Sequence, residues 1–212
     1  MHRPPDRPLP SDRAVFGSKT GALDKAEAAA NSVDAAAVQS WFDVMGYDFA
    51  EDLMSIFLGN NDSGFENEIS SAQFERTIAS SSARQKIAEG LDEIREQARQ
   101  DPQIGVTREL TSQWLGAEET EGDLFYALGH YDVAVGSDTT VTEVGGGLQA
   151  EIIYKVYVYD FYNFDKLQRE ALSLNIGTDI NNEMRQLEEA GWARSFRSRG
   201  EATRLLRWIG KL

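Results

Sequence analysis

The sequence predicts an α+β fold, and three observations carry that prediction. Ala83 to Arg99 sets Ile87, Leu91, Ile94 and Ala98 at helical spacing with charges between them, the pattern of an amphipathic helix. Near Thr107 the composition shifts to Thr, Val and Tyr, residues that favour strands, and it stays so through Tyr159. Inside that half, Leu148 to Val158 alternates strictly. Leu148, Ala150, Ile152, Tyr154, Val156 and Val158 fall on one face, and Gln149, Glu151, Ile153, Lys155, Tyr157 and Tyr159 on the other, as in a half-buried strand. The expected architecture is a set of N-terminal helices packed on one face of a small antiparallel sheet built from Asp123 to Tyr159, then a C-terminal helix and a short basic tail. A helical half (22–100) and a sheet-containing half (107–212) form a single domain over 16–212, preceded by a tail at 1–15.

The tail carries four of the five prolines between Met1 and Arg13, which blocks helix and strand alike and reads as a disordered tail or linker. Ala22 to Gln39 is Ala-rich, and Asn31 or Ser32 is placed to cap a helical segment that ends at Met45 before Gly46. Phe49 to Leu58 reads as a short helix with Phe49, Leu53, Ile56 and Phe57 on one face and Gly59 as its stop. Asn60 to Gly64 lacks the alternate-ligand spacing of a calcium loop and is expected to be a polar turn. Ser70 and Gln73 form a capping box for a helix burying Phe74 and Ile78. After Pro102, three or four antiparallel strands are expected, with a tight turn at Gly145 to Gly147. Asp179 to Ala190 is a further helix with Met184 and Leu187 inward and Gly191 just past its end. The last segment, Trp192 to Leu212, holds the basic residues Arg194, Arg197, Arg199, Arg204, Arg207 and Lys211.

Composition excludes several function classes. A net charge of −14 argues against a surface that tracks nucleic-acid phosphates and against indiscriminate binding to anionic membranes. With no cysteine, neither a disulfide framework nor a thiolate metal site can form. No apolar run is long enough for a membrane span, and no signal-peptide stretch is visible, so export, if it occurs, uses another device or a leader trimmed from this sequence; a cytoplasmic location stays open. The two histidines, His2 and His130, rule out a multi-histidine zinc site, and a Ser-His-Asp triad would have to use His130 without a nucleophile-elbow motif.

The residue that makes the most specific demand is Asp160. Continuing the strand alternation places its carboxylate on the apolar face, where it needs a hydrogen-bond partner, a metal or a water-filled cleft. Asp160 and Asp165, with Asp132 if the strands pair as a hairpin, offer hard oxygen ligands of the kind that hold Mg²⁺, Ca²⁺ or Mn²⁺ against a phosphorylated substrate. Tyr162 between them either positions a leaving group or fills the sheet's end. The competing reading makes Asp160 a turn cap and His130 a surface histidine.

Trp114-Leu-Gly116, Leu124 to Gly129, Tyr154 to Asp165 and the run from Met184 through Phe196 to Gly200 together resemble, in order, a C-terminal module of secreted actinobacterial proteins associated with type VII secretion. An Ala-Leu-Gly strand followed by a strand ending Asp-x-Tyr is also similar to the activity domain of colicin M-like bacteriocins. That resemblance implies a secreted toxin of bacterial competition, cleaving a lipid-linked peptidoglycan precursor with a divalent cation, and Asp160 and Tyr162 as site residues; Asp165 is the candidate to replace the pattern's missing carboxylate, so that Asp160 and Asp165 would be on the metal, and His130 joins the candidate catalytic residues from the chain's own histidine count. Here Asn163 stands where that pattern has a second Asp, and Arg169 and Glu170 stand where it has His-Arg. The alternative is a non-catalytic module that binds a partner protein.

Overall fold

The structure, a computed structural model, describes residues 3, 4, 6, 7, 9, 13–164 and 180–212. Its helical half begins with α1 (Ala22–Met45), one uninterrupted helix. Asn31, expected as a cap, lies in its middle, where its amide donates to Gln186 Oε1 at 2.7 Å and so ties α1 to the C-terminal helix. Gly46, at φ 68°, ends α1 in the left-handed conformation that glycine adopts without cost. Next come α2 (Asp48–Leu58), which buries Phe49, Leu53 and Phe57, and β1 (Glu66–Glu68). The capping box at Ser70 and Gln73 then opens α3 (Ser71–Ile78), and α4 (Ser81–Gln100) completes the half with Ile94 and Ala98 inward.

The second half supplies β2 (Thr107–Thr111), β3 (Leu115–Glu118), α5 (Gly122–Ala127), β4 (His130–Val144), β5 (Gly147–Tyr162), α6 (Ile180–Glu189), β6 (Phe196–Glu201) and β7 (Leu206–Lys211). The class is α+β, and the sheet is larger than the sequence predicts. Seven strands run in the order β1-β6-β5-β4-β2, with β3 also on β4 and β7 also on β5. All described pairings between named strands are antiparallel except β1 with β6. The long β4–β5 hairpin is its spine, closed by Gly145 and Gly146 at φ 61° and 80°, the positive values a tight hairpin turn requires.

Two segments differ from expectation. The stretch from Asp123 to Ala127, expected as strand, is helical, because Asp123 has a task at a helix end: its carboxylate accepts from the backbone N–H groups of Phe49 and Ala50 at 3.2 and 2.8 Å, the exposed donors at the start of α2. The basic tail is two strands, β6 and β7. Arg197 and Arg199 alternate with the buried Phe196, Ser198 and Gly200, and Arg207, Ile209 and Lys211 alternate with the half-buried Leu206, Trp208 and Gly210. The charges are thus the solvent side of a period-two pattern.

The helices lie against one face of the sheet. Odd positions of β4 and even positions of β5 share it by register: Val133 opposite Val158, Val135 opposite Val156, Val141 opposite Ala150. These residues join Phe49, Leu53, Phe57, Phe74, Ile94, Met184 and Leu187 in the apolar interior. The opposite face carries a separate small cluster of Trp114, Ala134, Tyr157 and Tyr159, all buried although no helix among the described residues covers them.

Candidate functional site

The end of the hairpin remote from its turn is where the two faces come together. There Asp160 sits on β5, two residues past Val158 and therefore on the helix-packed face, with Ser198 of β6 directly beside it. It is 7% exposed. Burial raises its pKa well above the ordinary carboxylate value, the backbone N–H of Phe161 opposes that rise, and the negative field of Asp132 adds to it. Burial thus favours the neutral form more than water would.

Two cavities meet at Asp160. The first, about 270 Å³, opens on the helix side; Phe42, Met54, Phe125, Leu128 and Ile180 give it apolar walls, and Asp160 with Asn163 supplies its polar end. The second, about 500 Å³, is a more open cleft on the other side, bordered by Asp132, Asp160, Asn163, Tyr159, Glu118 and Arg7. Asp132 pairs across the sheet with Tyr159, so it belongs to the helix-free face. Its own pKa is raised by burial, against the pull of the Arg7 guanidinium, whose Nη2 lies 3.2 Å from Asp132 Oδ1.

The remaining predicted residues have other surroundings. Tyr162 is buried among aromatic rings, stacked on Phe196 at 5.2 Å and edge-on to Phe57 and Phe164. Its hydroxyl donates towards Met54 Sδ, 4.0 Å away, and burial raises its pKa above the ordinary phenol value. His130 stands at the start of β4 with its ring in solvent, its Nε2 3.2 Å from the Glu118 carboxylate on the neighbouring strand. It borders both cavities. Asp165, like Arg169 and Glu170, lies outside the described residues. Among the described residues, no three His, Asp or Glu side chains group as a metal cage. Nor is any helix among them long and apolar enough to cross a membrane.

Sequence reasoning missed Arg7, Trp114 and Tyr159. Described residues of the proline-rich stretch lie against the helix-free face: Pro4 is buried, Asp6 pairs with Arg199, and Arg7 donates to the Trp114 carbonyl oxygen at 2.8 Å. A signal was present in the strand alternation itself. Tyr157 and Tyr159 occupy the face that should meet water, and large aromatic side chains there need a cover. No protein-family model, curated protein or solved structure matches the chain.

Proposed function

We propose that this protein is an exported bacterial module that acts at the cell envelope, and that its Asp160 cavity is a hydrolase site for an amphiphilic phosphoester such as a lipid-linked cell-wall precursor. One observation carries the reading: a buried carboxyl lines a cavity whose walls are mostly aromatic and aliphatic, with His130, Asn163 and Asn181 among its other polar residues. Such a cavity takes an apolar chain in its body and holds the polar junction of the ligand at Asp160. A carboxyl kept protonated by burial can donate its proton to a departing oxygen, the task for which enzymes raise carboxyl pKa values.

The donor chemistry also fits a hard divalent cation. Asp160, Asp132 and Asn163 border the same cleft with oxygen atoms, and Mg²⁺ commonly takes one or two carboxylates and completes its shell with water and substrate phosphate. In its ionised form Asp160 would hold such an ion with Asn163, with Asp132 next to them, a role that replaces proton donation because a metal-ligating carboxyl must be deprotonated. When bound it would polarise a phosphoryl oxygen and neutralise the charge developing there.

The test is periplasmic expression in a bacterial host of the wild type and of Asp160→Asn, with turnover of the purified proteins on a detergent-solubilised lipid-linked precursor. Wild-type toxicity and turnover, both lost in Asp160→Asn at equal protein level, are the expected results. Absence of toxicity and turnover in the wild type, or their persistence in the variant, overturns the proposal. A second reading, a non-catalytic protein-binding module, is favoured by the partners of Tyr162 and His130, whose polar groups are engaged by Met54 and Glu118. On that reading Asp160→Asn leaves partner binding intact.

A further inference from the structure

We propose that the cleft beside Asp132 is a guanidinium site, filled in this structure by the chain's own Arg7 and able to take an arginine side chain from solution when Arg7 is removed. This inference concerns the helix-free side of the sheet and does not rest on the chemistry assigned to Asp160.

The cleft is built to receive a cation with several donors. Asp132 presents a largely buried carboxylate, with 15% of its side chain exposed. Directly across the strand pair stands Gly116, which has no side chain to obstruct it. The Trp114 carbonyl supplies a second acceptor, and Arg7 reaches both, at 3.2 Å to Asp132 Oδ1 and 2.8 Å to Trp114 O. A third acceptor is close by: Tyr159, 4% exposed, lines the same cleft, and its hydroxyl is buried with no hydrogen-bond partner among the described residues. A guanidinium carries five N–H donors in a planar fork, so it is the side chain best matched to acceptors spread in this way. Among the described residues lining the cleft, Arg7 is the only Lys or Arg, and Glu118 adds negative charge around it.

The hold on Arg7 is of the kind that can be released. Its side chain remains half exposed, and the second anchor of the stretch is the pair of Asp6 with Arg199, which Glu66 shares at 2.9 Å. These are ion pairs at the edge of water, weak individually and sensitive to salt. Releasing them frees the Asp132 carboxylate and the Trp114 carbonyl oxygen. The stretch is thus a removable occupant of a site with its own recognition chemistry.

The experiment uses the full chain, with L-argininamide as the probe and backbone amide chemical shifts as the readout. Arg7→Ala is expected to give saturable shifts at Trp114, Gly116 and Asp132. The wild type should bind at least about ten-fold more weakly, because the tethered side chain competes at an effective concentration in the millimolar range. Arg7→Ala combined with Asp132→Asn should show no saturable shift. The spectra also report folding, so a failed fold is not confused with failed binding, and Asp6→Ala, which leaves the cleft intact, serves as a second opening variant. The proposal is overturned if folded Arg7→Ala and Asp6→Ala both fail to bind, if the wild type binds as tightly as Arg7→Ala, or if the Asp132→Asn combination binds unchanged.

Discussion

The two faces of the β4–β5 hairpin bury aromatic side chains by different means. On the helix-packed face, Phe49, Phe57 and Phe74 are fully buried by helices that interlock with one another and with Val133, Val156 and Val158. On the other face, Trp114, Tyr157 and Tyr159 are nearly as buried, but the described cover is a few residues of extended chain held through Asp6 and Arg7. The first arrangement is cooperative, because removing any ring opens a cavity among fixed neighbours. The second opens locally, since its contacts are ion pairs and one backbone acceptor at the solvent boundary. Stability is concentrated on one face and adjustability on the other, and Asp160 stands where they meet.

The largest expected effect comes from the packed face. Phe57→Ala removes a ring that touches both Tyr162 and Phe164 and should destabilise the fold by about 3–5 kcal/mol in urea denaturation. Gly200→Ala sharpens the same point. A Cβ there would stand 2.7 Å from the Phe74 ring and 3.3 Å from Ile69, so α3 or β6 must shift, at about 1–3 kcal/mol. A loss below about 0.5 kcal/mol in either variant would mean that this face is less tightly packed than described.

A pH series separates the two faces at Asp160. Its folded-state pKa lies above the ordinary 3.8, so the native state binds more protons than the unfolded chain above that pH. The stabilising contribution is fully present below pH 3.8 and is lost as pH rises through the folded value. Asp160→Asn should remove that loss and flatten the alkaline side of the stability profile, relative to wild type, in urea denaturation at a series of pH values. Asp132 and Glu188 are raised as well and will leave a residual slope of the same sign. An unchanged profile in Asp160→Asn would place the carboxyl in water.

The smallest effect belongs to the helix-free face. Arg7→Ala breaks a pair whose arginine is 50% exposed, and after allowance for solvent screening it should cost about 1 kcal/mol or less. A cost comparable to Phe57→Ala would erase the distinction between the faces.

Periodicity made the helices and the hairpin legible in the sequence, because a face that must be buried repeats at a fixed spacing over many residues. It also placed Asp160 on the packed face, since register carries over from Val158 without further information. Three features escaped it. Asp123 is helical because its carboxylate serves a helix more than seventy residues away, as its hydrogen bond to Ala50 shows, and no local pattern encodes such a contact. In β6 and β7 the strand period is carried by charge against Ser and Gly as much as by apolar residues, so it reads as a basic tail. The role of Arg7 depends on a proline-rich stretch meeting the sheet across 125 positions of chain. Long-range electrostatic pairing of that kind leaves no trace in composition.

The most direct test of the account is a ¹³C titration of the aspartate carboxyls, with the Asp160 resonance assigned by its absence from Asp160→Asn. The account predicts that this one carboxyl titrates well above the surface aspartates. It also predicts that the titration moves further upward in Arg7→Ala, where Asp132 loses its guanidinium and its negative field on Asp160 is no longer offset. An Asp160 resonance that titrates together with the surface aspartates, unmoved by Arg7→Ala, would contradict both the buried carboxyl and the meeting of the two faces at it.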